Sequence, residues 1–285
     1  MLPAFCSPDG VTVVVVPLVA LREDLHRRCQ ERGIDSHIWA GRGANRAASI
    51  VFITPESAVT KGFESFINRL HGRGQLDRVV MDECHTVLDS ERGFRPQLSE
   101  LGEVLRGFGV QAVFLTATLG PGDVPLFYSR MKLGGQRVCL FRQRTTRRNI
   151  AYRVERVEEE EEEGQVQRVV EEGLERYPGG KIIVYSGRID RGKRLGALLS
   201  CPVYYSTLDT TEGKAKRVAE WREKGGVIVT TNALGMGIDI PNVRMVVHVG
   251  APRKLRDYAQ ESGRAGRDGE KSEAIIIHRV QKRRE

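Results

Sequence analysis

Two arginines, Arg264 and Arg267, lie three residues apart in the segment QESGRAGRDG, residues 260–269. On a helix this spacing would put both guanidinium groups on one face. Gly263 and Gly266 add no side-chain bulk, so another surface can approach the backbone closely. Because guanidinium groups bind phosphate oxygens through paired hydrogen bonds, the segment predicts a phosphate-binding site. The alternative is a solvated basic helix end.

A short apolar stretch, LDRVVM at residues 76–81, is followed directly by acidic residues. Asp82 and Glu83 come first, and His85 follows them. In open α/β sheets ligands bind beyond the carboxyl ends of strands, so these side chains are expected in a ligand crevice. Asp82 could hold Mg²⁺ through water, and Glu83 could deprotonate an attacking water. The alternative is an ordinary acidic turn.

Hydroxyl-bearing residues follow two other apolar stretches. Thr116 and Thr118 flank an alanine, an arrangement that suits a hydrogen-bond relay between neighbouring sites. In the tripeptide Thr54-Pro55-Glu56, Pro and Glu suit the first turn of a helix, whose free backbone N–H groups attract anions such as nucleic-acid phosphates. An ordinary strand end and an ordinary helix start are the alternatives.

A glycine-containing loop follows the apolar stretch of residues 227–231. In this loop Gly235 and Gly237 bracket Met236, and Asp239 lies close behind them. The glycines permit close approach of the backbone to a ligand, and Asp239 could contact a ribose hydroxyl or an arginine. Two glycines alone do not define a ligand site.

Short β-branched stretches alternate with longer amphipathic ones, which is the pattern of strand–helix–strand units on a parallel sheet. The predicted strands are Val11–Val16, Ile50–Ile53, Arg78–Met81, Ala112–Leu115, Arg137–Leu140, Ala151–Val157, Lys181–Val184, Val203–Tyr205, Val227–Thr230, Met245–Val249 and Glu273–Ile277. The predicted helices are Leu18–Arg32, Ser57–Leu70, Pro96–Arg106, Val124–Met131, Gln165–Arg176, Lys193–Leu199, Glu212–Glu223 and Leu255–Arg264. The fold class is therefore α/β with mainly parallel sheets.

The alternation runs through the chain twice, with a basic, aperiodic segment between the two halves. This segment predicts a linker at residues 143–150, between a first domain at residues 1–142 and a second at residues 151–280. Six consecutive glutamates at residues 158–163 are interpreted as a solvated insert or frayed helix start without a function.

The composition narrows the class of protein. The chain has 285 residues, a 40% hydrophobic content and a net charge of +8, which allows packed cores and mildly favours a polyanionic partner. Its five cysteines are widely spaced and include no C-x-x-C pair, so we expect reduced thiols in an intracellular protein and no zinc site. No apolar stretch is long enough to span a bilayer, so we expect a soluble protein without a membrane partner.

The segments PLVAL, TPES, DECH, TAT, KIIVYSG, TTNALGMGIDIPNV and QESGRAGRDG resemble, in order and spacing, the motif series of superfamily-two helicases. The resemblance runs from near residue 1 to about residue 278. GMGIDIPNVR, the long QESGRAGRDG and the tripeptide Phe94-Arg95-Pro96 resemble RecQ-type DNA helicases, those of fungi most, rather than DEAD-box RNA enzymes.

This resemblance implies two RecA-like domains that bind ATP and Mg²⁺ in the cleft between them and step 3′ to 5′ along one DNA strand. Asp82 would bind Mg²⁺ through water and Glu83 would activate the attacking water. His85, Thr116 and Thr118 would couple the nucleotide state to the DNA site.

Arg264 and Arg267 would reach across the cleft to the nucleotide, with Arg267 as the arginine finger, a group typically worth about 10³–10⁵ in rate. The implied ATP contacts are Asp82, Glu83, His85, Gly237, Asp239, Gln260, Arg264 and Arg267. The implied contacts with DNA, along a single-stranded track that ends at a duplex fork, are Pro17, Leu18, Thr54, Pro55, Glu56, Phe94, Arg95, Ser186, Arg188, Thr230, Thr231 and Asn232.

The sequence departs from the family pattern in several places. No Gly-Lys-Ser or Gly-Lys-Thr occurs in it. In relatives this phosphate cradle lies just ahead of a segment resembling residues 1–5, so the first domain is expected to lack the cradle and its first strand. Ser90 and Tyr205 stand where a tryptophan and a histidine are usual. No cysteine-rich zinc module or winged helix follows the last motif.

Three functions remain open from the sequence. The first is an ATP-dependent 3′–5′ DNA helicase of RecQ type, nuclear in a eukaryote. The second is a non-catalytic nucleic-acid-binding remnant or truncated gene product, in which the missing cradle prevents turnover. The third is an RNA-directed helicase relative, which the Phe94–Pro96 tripeptide and the GMGID loop disfavour.

Overall fold

The computed structural model describes residues 1–7, 9–41, 46–92, 100–102, 107, 109–205, 211–231 and 240–280. It divides the chain into two compact units, Met1–Gln143 and Arg144–Glu285, called unit 1 and unit 2 below. Each contains a parallel β-sheet with helices, so the predicted α/β class is confirmed. Within the described ranges no helix is both long and apolar enough to cross a membrane.

Unit 1 has a five-stranded sheet in the order β2-β3-β1-β4-β5. The strands are β1 (Val11–Val15), β2 (Ser36–Ile38), β3 (Ile50–Ile53), β4 (Leu76–Met81) and β5 (Gln111–Phe114), and every pair is parallel. The register places Val15 beside both Ile53 and Met81, and Met81 beside Phe114. The carboxyl ends of β3, β1, β4 and β5 are therefore level at one edge of the sheet.

The helices of unit 1 bury one face against this sheet. They are α1 (Leu2–Cys6), α2 (Val19–Gln30), α3 (Pro55–Ala58), α4 (Lys61–Gly72) and α5 (Val124–Arg130), with 3-10 helices at Cys84–Arg92 and Pro121–Asp123. In α4 the buried side chains Phe63, Phe66, Ile67 and Leu70 recur at the spacing of one helical face. The Thr60 hydroxyl caps α4 by accepting from the Phe63 N–H.

Unit 2 has a six-stranded parallel sheet in the order β6-β11-β10-β7-β9-β8. Its strands are β6 (Ile150–Val157), β7 (Lys181–Ser186), β8 (Val203–Tyr204), β9 (Gly226–Thr230), β10 (Val243–Val249) and β11 (Ser272–Arg279). Its helices are α6 (Glu162–Arg176), α7 (Ile189–Leu198), α8 (Thr211–Lys224) and α9 (Leu255–Ser262), with a 3-10 helix at Glu159–Glu161. β7 and β10 are buried along their whole length, as expected for central parallel strands.

Some elements of the structure differ from those predicted from the sequence. The predicted strand Arg137–Leu140 has no regular structure, and the three-residue β2 is too short to give a sequence pattern. The predicted helix Ser57–Leu70 is divided into α3 and α4, because the Thr60 cap starts a new helix. Most of the predicted helix Pro96–Arg106 lies outside the described residues.

The glutamate run contains one buried residue that the solvated interpretation did not anticipate. Glu162 is only 1% exposed, and its carboxylate pairs with Arg191 at 2.8 Å and with Arg279 at 2.8 Å. These arginines belong to α7 and β11. For Glu162 the interpretation as a solvated or frayed residue was therefore wrong, because its charge joins three elements of unit 2.

Candidate functional site

The acidic motif of unit 1 lies at the carboxyl edge of the sheet. Hydrogen bonding continues one residue beyond β4, where the Asp82 N–H donates to the Val15 carbonyl at 3.0 Å. On the other side the Leu115 N–H donates to the Met81 carbonyl at 2.9 Å. The segments that follow β1, β4 and β5 are thus held side by side, in the position where open α/β sheets bind ligands.

Glu83 has a backbone conformation that is uncommon for a residue with a side chain. Its φ of 47° lies in the left-handed region, which costs roughly 1–2 kcal/mol for a non-glycine residue. The Glu83 N–H donates to the Asp82 carboxylate at 2.9 Å, and its carbonyl accepts from the Thr86 hydroxyl at 2.9 Å. Strained positions of this kind cluster at functional sites, and here the strain turns the chain from β4 into the 3-10 helix Cys84–Arg92.

His85 connects the loops that follow β4 and β5. It is 3% exposed, and its Nδ1 lies 2.9 Å from the Thr116 hydroxyl and 3.3 Å from the Glu83 carboxylate. The same Thr116 oxygen accepts from the Thr118 N–H at 3.1 Å. The structure therefore brings the predicted relay residues together, in contact with the carboxylate predicted to act as a base.

Burial and like charge set the electrostatics of this edge. Burial raises the pKa of Asp82, and the adjacent Glu83 carboxylate adds to the increase. Burial, with Glu83 and Asp82, also raises the pKa of the Cys84 thiol to about 12, so Cys84 is a neutral thiol near pH 7 and a poor nucleophile. A divalent cation beside Asp82 would relieve the cost of ionising it, and carboxylate oxygens are ligands that Mg²⁺ accepts.

No closed metal site accompanies these residues. Across the part of the chain that the structure describes, no group of three or more His, Cys, Asp or Glu side chains is arranged to hold a metal ion. A single carboxylate such as that of Asp82 could hold Mg²⁺, an ion that usually keeps several water ligands and binds through one or two carboxylates and substrate phosphates.

The loops after β1 and β3 flank the acidic motif at the same edge. Thr54 caps α3, with its hydroxyl accepting from the Ser57 N–H at 3.4 Å, and Pro55 and Glu56 fill the first turn. The predicted helix start at this tripeptide is confirmed. After β1, Pro17 is buried and Leu18 is partly exposed.

Unit 2 presents a basic side chain beyond the carboxyl end of β7. Arg188 has a side chain that is 74% exposed and pairs with Asp190 at 3.0 Å. Ser186 is buried and its hydroxyl donates to the Arg188 carbonyl at 2.6 Å, while the buried Thr230 donates to the Thr231 carbonyl at 2.6 Å. The two buried hydroxyls are thus used inside the unit, and Arg188 faces solvent.

Some residues singled out in the sequence lie outside the described residues. They are Phe94, Arg95, Asn232, Gly237 and Asp239.

The arginine pair does not lie on a helix. α9 ends at Ser262, and the pair lies in the turns that follow. Arg264 is 4% exposed, whereas Arg267 is exposed, so the expectation of one shared helical face was wrong. The physical reason is Gly266, whose φ of +55° departs from helical geometry and whose N–H donates to the Val243 carbonyl at 2.8 Å.

Polar and aromatic side chains that the sequence did not single out lie around Arg264. The buried Tyr185 ring stacks on His248 at 5.0 Å, and His248 Nε2 lies 2.9 Å from the Glu261 carboxylate. Burial raises the pKa of Tyr185 to about 12, and the positive charge of Arg264 is the main opposing influence. The feature of the sequence that could have indicated this cluster is Tyr185 itself, a tyrosine that follows three aliphatic residues in β7. Gln260, on the same helix as Glu261, is partly exposed.

Two family matches cover most of the chain. Residues 1–124 match the DEAD/DEAH box helicase domain, and residues 164–269 match the helicase conserved C-terminal domain. The first match contains the acidic motif and its threonine partners, and the second contains the arginine pair. Fold and site together define the class of superfamily-two helicases, with two RecA-like domains.

Whole-chain similarity narrows the class. RecQ-like DNA helicase blm-1 of Caenorhabditis elegans is 33% identical to this chain, over 97% of this chain and 30% of its own length. ATP-dependent DNA helicase Q1 of Rattus norvegicus is 29% identical, over 97% of this chain and 47% of its own length. The chain belongs to the RecQ family of helicases. It spans less than half the length of these two relatives.

The fold also has counterparts among solved structures. S. cerevisiae Dbp5 bound to RNA and ADP BeF3 is similar with a TM-score of 0.70 and 20% identity, over 96% of this chain and 72% of that chain. At this identity the likeness establishes the fold alone.

Proposed function

We propose that this chain forms the core of an ATP-dependent DNA helicase that moves 3′ to 5′ along single-stranded DNA. The observation that carries the proposal is the contact of His85 with both Thr116 and the Glu83 carboxylate at the carboxyl edge of β4 and β5. A buried histidine that bonds to both loops can report a change at the acidic motif to the neighbouring loop. Such a protein would act on DNA inside the cell, in the nucleus of a eukaryote.

Each residue of the acidic motif has a distinct role in this proposal. Bound ATP with Mg²⁺ supplies the phosphoryl group that is transferred to water. Asp82 would hold the ion through water, and Glu83 would accept the proton of the attacking water. His85 would then pass the change in charge at Glu83 to Thr116 through its ring nitrogen.

Of the two arginines, we propose Arg267 as the finger that stabilises the charge on the nucleotide. Arg267 is exposed, whereas Arg264 is 4% exposed beside Tyr185. An exposed guanidinium on a short loop can form paired hydrogen bonds to phosphate oxygens. Arg264 would support it from within the unit, and Gln260 would add a polar contact to the nucleotide.

We propose that single-stranded DNA follows the loops at the carboxyl edges of the sheets. In unit 1 these loops contain Pro17, Leu18 and the first turn of α3, and in unit 2 they contain Arg188. The free N–H groups of a helix start and an exposed guanidinium both suit phosphate oxygens. Phosphate contacts dominate affinity for nucleic acid, so binding is expected to weaken as salt rises.

A second candidate function is binding of nucleic acid without turnover. The observation that favours it is the absence of Gly-Lys-Ser or Gly-Lys-Thr from the sequence, since the lysine and hydroxyl of that motif hold the phosphates and Mg²⁺ in related ATPases. Under this second candidate, hydrolysis by the polypeptide of residues 1–285 would be slow.

Substitution of Glu83 by Gln separates the two functions. Hydrolysis stimulated by single-stranded DNA is expected to fall by at least about 10² in Glu83→Gln, because a positioned general base contributes 10²–10⁴. Phosphate release should be measured with and without DNA, with Glu64→Gln, an exposed carboxylate on α4, as the control. Equal rates in the wild type and Glu83→Gln, with DNA binding retained, would favour the second candidate.

Direction of movement is a separate readout. Partial duplexes with a 3′ tail should be unwound, and matched duplexes with a 5′ tail should not. Unwinding of the 5′-tailed duplex alone would contradict the proposed polarity.

A further inference from the structure

The loop that carries the arginine pair, residues 263–270, is held by side chains from a distant part of the chain. The Arg147 guanidinium donates to the Gly263 carbonyl at 3.4 Å and also to the Gly266 carbonyl. The Asn149 side-chain amide donates to the Gly266 and Glu270 carbonyls, at 2.8 Å each. An amide nitrogen has two hydrogens, so Asn149 can make both bonds at once.

The other side of the loop is held by β10 and β11. Arg244 is buried and donates to the Asp268 carboxylate at 3.0 Å, and this guanidinium lowers the pKa of Asp268. The Gly266 N–H donates to the Val243 carbonyl at 2.8 Å. Arg147 and Asn149 therefore complete an enclosure that fixes a loop without regular secondary structure.

Gly266 is required by the close approach of Asn149. A Cβ atom at this position would lie 2.4 Å from the Asn149 amide nitrogen and 2.8 Å from the Glu270 carbonyl. Its φ of +55° is also one that side-chain-bearing residues rarely adopt. The glycine of the motif thus serves the contact with Asn149.

We propose that Arg147 and Asn149 are positioning residues for Arg267, and this inference rests on the proposed function. Neither residue is expected to touch the nucleotide. They fix the carbonyls on both sides of Arg267, so that its guanidinium is already oriented before the nucleotide arrives. Orientation matters because a misplacement of about 1 Å can cost about 10² in rate.

Arg147 and Asn149 lie close to the boundary between the two units of the chain. They belong to the first residues of unit 2, which begins at Arg144 directly after the last residue of unit 1. The first residues of unit 2 thus hold the arginine loop, and displacement of these residues would loosen Arg267.

Two substitutions and a matched control test the proposal. Arg147→Ala removes one anchor, and Asn149→Asp keeps the size of the side chain but replaces the donor with a carboxylate that faces two carbonyls. Arg148→Ala is the control, because Arg148 is the exposed neighbour between them. Arg147→Lys retains a donor and should recover part of the loss.

The first readout is hydrogen–deuterium exchange of the amides of residues 263–270. Exchange should be faster in Arg147→Ala and Asn149→Asp and unchanged in Arg148→Ala. The second readout is DNA-stimulated hydrolysis, in which Arg147→Ala and Asn149→Asp should each lower kcat by about 10- to 100-fold. Arg267→Ala should lower kcat in the same direction and by more. KM and the affinity for single-stranded DNA should change less than twofold, a split that general unfolding would not produce.

The outcomes separate this inference from the proposed function. Hydrolysis that Arg267→Ala lowers but Arg147→Ala and Asn149→Asp leave unchanged would overturn the positioning role and leave the proposed function intact. Hydrolysis that Arg267→Ala itself leaves unchanged would overturn both. If the amides of residues 263–270 exchange at the wild-type rate in Arg147→Ala and Asn149→Asp, these two side chains do not hold the loop. That result alone would overturn the positioning role.

Discussion

Asp82 and Glu83 are adjacent carboxylates in different surroundings. Burial and the neighbouring Glu83 raise the pKa of Asp82 above its ordinary value of 3.8, although the Glu83 N–H and His85 partly oppose the increase. The folded chain therefore holds a proton on Asp82 at a higher pH than the unfolded chain does. By linkage, the Asp82 contribution makes the free energy of unfolding fall as pH rises from about 3.8 through the raised pKa.

The raised pKa of Asp82 predicts that the Asp82→Asn variant has a larger free energy of unfolding than the wild type at pH values above that pKa. The reason is that asparagine has the same shape and no charge to desolvate. The amide oxygen of the introduced asparagine can still accept the Glu83 N–H. The difference should disappear below about pH 3.8, where Asp82 is protonated in both states. Urea denaturation at several pH values measures it, and a wild type more stable than the variant at neutral pH would contradict the prediction.

The side chains that surround Arg264 could not be predicted from the sequence around each residue. Tyr185 and Glu261 lie within the KIIVYSG and QESGRAGRDG segments without having been predicted as site residues. With His248 they form a stacked and hydrogen-bonded cluster. Tyr185 and His248 lie on neighbouring strands in the register of β7 and β10, and this register is not visible in either strand alone. The motif in the sequence predicts the arginine as a site residue but does not reveal the side chains around it.

At the scale of elements, Glu162 joins α6, α7 and β11. Glu162→Gln is expected to lower the free energy of unfolding by about 3 kcal/mol, since removing one partner of a buried ion pair typically costs 3–5 kcal/mol. The change leaves Arg191 and Arg279 facing a neutral amide in place of a carboxylate that is 1% exposed.

A matched control lies in the same run of glutamates. Glu160 is exposed, and Glu160→Gln should change the free energy of unfolding by no more than about 0.5 kcal/mol. Urea denaturation of the two variants provides the comparison. Equal losses would mean that the whole run, and not the buried pair, determines stability.

The end of α9 decides the surroundings of the arginine pair. A helix continued through Gly266 would have exposed both guanidinium groups on one face. The turn at Ser262 instead buries Arg264 and exposes Arg267. The position of this helix end therefore gives two arginines different surroundings, one buried and one exposed.

At the scale of the whole molecule, a net charge of +8 and the exposed Arg188 support binding of a polyanion. If Arg188 contacts one phosphate, Arg188→Ala should reduce the slope of log K against log salt by about 0.7, the value per phosphate for single strands. Fluorescence anisotropy with a labelled oligonucleotide from low to moderate salt measures the slope.

Arg194 provides the control for this measurement. Like Arg188, it is exposed and paired with a carboxylate, that of Glu163, but it lies within α7 and not at the sheet edge. Arg194→Ala should leave the slope unchanged. Equal changes in both variants would indicate that net charge, and not the loop after β7, governs binding.

The alternation of β-branched and amphipathic stretches was enough to predict two parallel α/β halves, because burial of a parallel sheet on both faces makes its strands continuously apolar. The acidic residues could be placed at a strand end for the same local reason. The predictions of a strand at Arg137–Leu140 and of a helix through Arg264 were wrong. A local apolar or helical pattern does not show whether a neighbouring strand or helix is present to pair or pack with the segment.

The sequence by itself thus determined the fold class, the family and the chemistry available in each motif. Only the tertiary structure decided which motif residues meet. His85 and Thr116 are 31 residues apart in the chain, and Asn149 and Gly266 are 117 apart. Contacts of this kind depend on strand order and on where loops return, and no local periodicity encodes them.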